Sequence, residues 1–287
     1  GAVRGARAAA RAMPAAAALL GAGGLPAPGA LGALWGVCVV PLLPTLAGNP
    51  TWVFSVGYGL SSAAAGAALL ASGAVFGPAA AAAGGLVAYG ARLAGFLYWR
   101  QNAWPEWKQR AAKAPEARAK NLLAPVLGCS LFYALMCSPA LWLLRAGEAL
   151  AGVGYPALAW GGVAVQWFGL VLEGVADYQK SASKAVQPDT WCAGGLYSAL
   201  RHPNYAGEIL HWVGLFTAGL PAALGSGGGL VGSAGRLVPS ALGALGITML
   251  MLRVTPRLDK RQADKYGDKP GYSEYTASTK MLVPGLY

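Results

Sequence analysis

Apolar residues fall into seven long stretches, near 30–48, 53–72, 74–99, 122–144, 151–175, 204–222 and 236–254. A helix needs about 20 such residues to cross a bilayer. The pattern therefore predicts an all-α, polytopic membrane protein with about seven transmembrane helices. Pro41 and Pro44 interrupt the first stretch. The second and third consist mostly of small residues, which suit close helix packing better than contact with lipid. Gly32 and Gly36 add one GxxxG spacing to the first span.

Three polar segments, 100–121, 176–203 and 255–287, separate or follow these stretches. Counting spans puts all three on one side. The opposite connections, near 145–150 and 223–235, hold only Arg145 and Glu148. The excess of Lys and Arg assigns the polar segments and the C-terminus to the cytosolic, stromal or matrix side. With seven spans, Arg4, Arg7 and Arg11 fall on the other side, so either the leader follows targeting rules or the count shifts by one.

Composition sharpens this picture. The 287 residues include 22 Lys+Arg and 11 Asp+Glu, a net charge of +11, and only 11% are charged. Soluble domains run near 25%. No charged residue occurs between Arg11 and Arg92. An ordinary soluble enzyme is excluded. So is a disulfide scaffold, because Cys38, Cys129, Cys137 and Cys192 are few and form no CxxC pair. Residues 1–28 are rich in Ala, Gly and Arg and lack acids, as an organelle transit segment does. The opening Gly fits a processed or trimmed product. Residues 29–287 read as a single membrane domain in a chloroplast or mitochondrial membrane.

Chemistry concentrates in the second half. All 11 acids lie at position 106 or later, and the two histidines are His202 and His211. Pro203 suits the first turn of a helix. From there Asn204, Glu208 and His211 share one face. Arg201 and His202 lie at the positive end of that helix, which attracts anions. Glu208 and His211 lie one and two turns into an apolar span, where ionisable groups mark function by default. Glu173, Asp177, Lys180 and Lys184 form a second helical stripe, suited to i,i+4 ion pairs or to a polyphosphate. Arg253 either snorkels at a span end or closes the anion site from a third side. Tyr272, Tyr275 and Thr279 share a face if helical. The spacing of Glu208 and His211 lacks a second half-site, so no metal is expected.

Arg201-His-Pro-Asn-Tyr-x-Gly-Glu208, preceded by Ala-Asp177-Tyr-Gln-Lys180 and followed by Leu-Arg253-Val-Thr and Pro-Gly-Tyr-x-x-Tyr275, resembles the steroid 5-alpha-reductase C-terminal domain superfamily. Within it, the chain is most similar to a branch of membrane proteins related to sterol and enoyl reductases. The resemblance is strong over 165–284 and weaker over 85–145. It implies a seven-helix fold that holds NADPH between the later helices and the polar loops. By motif position, Asn204, Tyr205 and Glu208 line the nicotinamide and ribose side. Asp177, Lys184 and Arg201 lie near the phosphates, with His202 beside them. Arg253, Tyr275 and the Lys260-Arg261 pair are further contributors. The implied reaction is NADPH-dependent reduction of a lipid C=C bond of sterol, enone or isoprenoid type, with a lipophilic small molecule as substrate. The RHPxY element is shared with isoprenylcysteine and phospholipid methyltransferases.

The chain departs from that family in two ways. Steroid-reducing members are expected to use an acid and a tyrosine from the first half. Tyr58, Tyr89 and Tyr98 are present there, but no acid precedes Glu106. This argues against steroid substrates and leaves the catalytic residues unknown. Lys184 stands where an Arg is expected. Two alternatives remain, a non-catalytic subunit of a larger organellar membrane complex and an S-adenosylmethionine-dependent lipid or prenylcysteine methyltransferase. Asn204 and the Asp177 stripe argue against the second. Trp104 and Trp107 in the basic loop 100–121 read as an interfacial belt beside anionic lipid, not as a nucleic-acid surface. Gly227-x-Gly229-x-x-Gly232 matches a dinucleotide fingerprint by letters only, since it lies between spans.

Overall fold

The computed structural model describes residues 19–21, 25–47, 50–74, 76–103, 122–147 and 155–282. Most of the leader, and the loop segment carrying Trp104 and Trp107, lie outside the described residues. The regular structure there is helical, apart from one parallel bridge between Leu200 and Lys280. In order the helices are α1 (Ala27–Val39), α2 (Val56–Ala71), α3 (Gly77–Ala103), α4 (Leu123–Ala146), α5 (Tyr155–Val186), α6 (Pro203–Gly225), α7 (Gly229–Tyr266) and a short α8 (Tyr272–Ser278).

Five helical stretches are long and apolar enough to cross a membrane: Ala27–Ala47, α3, α4, α5 and α7. The chain is thus an integral membrane protein. Helix α2 is apolar but has only 16 residues. Each of the seven apolar stretches coincides with a helix, and five satisfy the length and hydropathy of a span.

Contacts divide the chain into two compact units. The first comprises residues up to Val163 and Leu215–Ala244. Here Pro41 and Pro44 act as their chemistry requires. Each lacks an N–H, and the backbone tightens into a 3-10 helix over Val40–Ala47. Trp52 Nε1 donates to the Pro41 carbonyl (2.8 Å). Helices α2 and α3 cross at glycines. A Cβ on Gly90 would sit 2.2 Å from the Gly59 oxygen, and one on Gly66 2.5 Å from the Ala83 oxygen. By contrast, a Cβ on Gly32 or Gly36 would meet nothing within 4 Å among the described residues, so the GxxxG of the first span marks no close helix crossing there. The inner polar groups include hydroxyls that bond one another. Tyr58 and Tyr89 hydroxyls lie 3.1 Å apart, and Ser138 and Ser240 hydroxyls 2.9 Å apart.

The second unit comprises Ala164–Gly214 and the chain from Leu245 onward. It is built on another glycine crossing, between α5 and α6. A Cβ on Gly169 would lie 2.3 Å from the His211 nitrogen, and one on Gly207 2.5 Å from the Glu173 nitrogen. Neither glycine can gain a side chain without separating the helices.

Candidate functional site

All the residues that the sequence assigned to the cofactor site lie in the second unit. Its polar end gathers the C-terminus of α5, the N-terminus of α6 and the C-terminus of α7. The link from α5 to α7 is Lys184, whose ammonium donates to the Tyr266 hydroxyl (2.6 Å). It also donates to the carbonyls of Pro188 and Thr190. These bonds engage all three Lys184 donors.

Arg201 joins α6 to α7. Nε donates to Asp259 Oδ1 (2.8 Å) and Nη2 to Oδ2 (3.1 Å), a fork-to-fork pair. Nη1 donates to the carbonyls of Thr276 and Thr279. Four of the five guanidinium N–H groups are therefore engaged, and one remains. His202 Nε2 lies 3.3 Å from the same Asp259 Oδ1, to which the ring N–H donates. Burial holds the His202 pKa below its ordinary value, with Lys180 and Arg201 acting in the same sense and Asp259 opposing them. His202 is thus a neutral donor near pH 7.

The N-terminus of α6 is occupied by protein. The Arg201 and His202 amides donate to the Lys280 and Met281 carbonyls, at 2.8 and 3.1 Å. This C-terminal strap takes two of the backbone donors just ahead of α6, those of the pair that the sequence placed at the positive end of the helix. Tyr275 anchors the same strap by donating to the Tyr197 carbonyl (2.9 Å), and burial pushes its phenol pKa upward.

A cavity of about 200 Å³ lies beside this knot. Five cations line it: Lys180 and Lys184 from α5, Arg201, and Arg261 and Lys265 from α7. Trp191, Tyr197 and Tyr266 add aromatic surface, and Cys192, Leu258 and Gln262 complete the lining without any acid. Trp191 Nε1 and the Tyr197 hydroxyl are buried and have no hydrogen-bond partner among the described residues. Such groups are uncommon in native proteins and call for a partner. Burial, then the nearby Asp177 charge, pushes the Tyr197 pKa far up, so its hydroxyl keeps its proton. The cavity thus combines positive charge, two donors without acceptors among the described residues, and flat aromatic surfaces.

A family described as a protein of unknown function (DUF1295) matches residues 51–279. The chain belongs to that family. No curated protein and no solved structure matches it.

In this DUF1295 protein the predicted residues separate into groups. Lys180, Lys184, Arg201 and Arg261 line the cavity. Asp177, His202 and Glu208 are buried nearby in the unit, at 8%, 2% and 7% exposure, while Asn204 and Tyr205 are half-buried. Arg253 is exposed and does not line the cavity. His211 is fully buried, and its Nδ1 donates to the Gln166 carbonyl (3.2 Å), which fixes the tautomer. No cluster of metal-ligating side chains occurs among the described residues. Sequence reasoning left Trp191, Tyr197, Lys265 and Tyr266 out of the site. The first two sit in a largely irregular connection, Tyr197 within a 3-10 helix (Gly195–Ser198) too short to carry a periodic signal. Lys265 and Tyr266 lie at the end of a helix whose polar extension was read as a tail. Gly169 was missed too, although Gly207 stood in the quoted motif.

Proposed function

We propose that this protein is a membrane oxidoreductase that binds NADPH at the polar end of its second unit and reduces a C=C bond of a lipophilic substrate. The observation that carries the reading is the acid-free cavity with five cations and two unpartnered donors. Its residues fit a phosphate-bearing ligand. Lys180, Arg261 and Lys265 supply charge, the last Arg201 N–H a charged donor, and Tyr197 and Trp191 neutral donors. Lys184 contributes charge alone, since its donors are engaged. The volume of about 200 Å³ falls below the ~300–1,000 Å³ of whole-ligand sites, so it suits the phosphate end of a dinucleotide.

When bound, NADPH would supply a hydride, and the protein's part is position and charge. Asn204, Tyr205 and Glu208, on the first two turns of α6, would face the remainder of the cofactor. The resemblance to steroid-reductase-type proteins supports this assignment. So do the apolar helices, which give a lipid substrate access from the bilayer. Seven membrane crossings in an organellar membrane, with the polar end toward stroma or matrix, complete the reading.

One observation favours a second reading, a non-catalytic subunit of a membrane complex. No acid precedes Glu106 in the sequence, and the buried Tyr58 and Tyr89 hydroxyls lie 3.1 Å apart. Direct binding to the detergent-purified protein separates the possibilities. Saturable NADPH binding that Arg261→Gln and Lys265→Gln weaken supports the reductase. Binding of S-adenosylmethionine instead supports a methyltransferase. Binding of neither by a folded sample, with a partner copurifying at fixed ratio, supports the subunit.

A further inference from the structure

On α7 the positions 245, 249, 253, 257 and 260 follow one another at spacings of four, four, four and three, so they share a face. Leu245 and Met249 are exposed, at 57% and 51%. Arg253, Arg257 and Lys260 continue the same exposed face. Between Met249 and Arg253 the surface changes from hydrocarbon to cation within about 6 Å of helix.

The charge of Arg253 and Arg257 has no counter-ion among the described residues. Helix α7 has two acids, Asp259 and Asp264. Asp259 holds Arg201 and His202, and Asp264 holds Lys260 (2.9 Å). Arg253 and Arg257 make no hydrogen bond or ion pair among the described residues. Neither lines the cavity.

A second helix shows the same change from apolar to polar toward its C-terminal end. The exposed face of α5 runs Phe168, Val171, Val175 and then Tyr178, the last at 73% exposure. Tyrosine favours the membrane–water boundary, where its ring is apolar and its hydroxyl wet. The Lys184–Tyr266 bond holds the ends of α5 and α7 together, so Tyr178 and Arg253 belong to the same end of the unit. Helix α7 is 38 residues long, about 57 Å, and exceeds a hydrocarbon core of ~30 Å. Its basic end must therefore pass through the headgroup layer.

We infer that Arg253 and Arg257 form a binding surface for anionic phospholipid headgroups. A guanidinium meets a phosphate through two parallel N–H bonds, which an ammonium cannot do. The inference rests on the membrane placement of α7, not on the reductase reading. It gives Arg253 a lipid partner in place of a cofactor.

The test uses the full chain reconstituted in bilayers of phosphatidylcholine mixed equally with phosphatidylglycerol. The readout is the association of spin-labelled phosphatidylglycerol relative to spin-labelled phosphatidylcholine. The wild-type protein should prefer phosphatidylglycerol, and the preference should decline as salt rises. Each arginine near the surface should contribute roughly fivefold. The double variant Arg253→Gln/Arg257→Gln should lose the preference while keeping its helical circular dichroism and melting temperature. No preference in the wild type, a salt-independent one, or one that survives in the double variant overturns the proposal.

Discussion

Arg201 grips both oxygens of Asp259, with Nε 2.8 Å from Oδ1 and Nη2 3.1 Å from Oδ2, while its remaining terminal nitrogen holds two carbonyls of the C-terminal strap. One side chain thereby ties α6, α7 and residues 276–279 into a single knot. Asp259→Asn should destabilise the protein by about 1.5–3 kcal/mol, the range for a hydrogen bond to a charged group. Arg201→Lys should also destabilise, because a point charge cannot serve four acceptors. Thermal unfolding in detergent measures both. The double variant should cost less than the sum of the singles, since each single already breaks the same pair.

Cavity binding and cavity construction should separate by mutation. Lys180→Gln, Arg261→Gln and Lys265→Gln are each expected to weaken NADPH binding roughly tenfold, the value of one charge-assisted contact. The melting temperature should change little. Lys184→Gln should behave differently, lowering the melting temperature as well, because its ammonium holds the Pro188 and Thr190 carbonyls and the Tyr266 hydroxyl. Titration calorimetry beside thermal melts distinguishes the two classes.

Stability should fall on mild acidification. Burial lowers the folded-state pKa of His202 below its ordinary 6.5. Below pH 6.5 the unfolded chain takes up a proton that the folded chain refuses, so stability is lost as pH falls from 6.5 to the folded pKa. Above 6.5 the histidine contributes no pH dependence. A series of melts from neutral to mildly acid pH checks the sign, and His202→Gln should flatten this part of the profile.

The glycines offer an internal contrast. Gly169→Ala and Gly207→Ala would drive a methyl against backbone at 2.3 and 2.5 Å, and each should cost about 1–3 kcal/mol. Gly32→Ala and Gly36→Ala meet nothing within 4 Å and sit inside α1, where Ala is the better helix former by ~0.5–1 kcal/mol. They should leave stability unchanged or raised. Thermal melts of the four variants decide whether the α5–α6 crossing is as tight as its geometry requires.

Periodicity along the chain determined much of this protein. Long apolar runs with almost no charge can satisfy their backbone only as membrane helices, so each span was legible from hydropathy, and Pro203 announced the start of α6. The Asp177–Lys184 stripe was legible because four residues at helical spacing must share a face. What no local pattern encodes is the choice of partner. The strap over the α6 N-terminus joins Arg201 and His202 to Lys280 and Met281, far along the chain. The cations of α5 and α7 instead converge on a cavity beside it. The cavity takes Trp191 and Tyr197 from a largely irregular connection, where burial depends on what packs above it. Arg253 illustrates the limit. Its sequence position allowed a cofactor contact or a lipid contact. The choice depended on the direction of one helix face relative to its neighbours, which only tertiary packing sets.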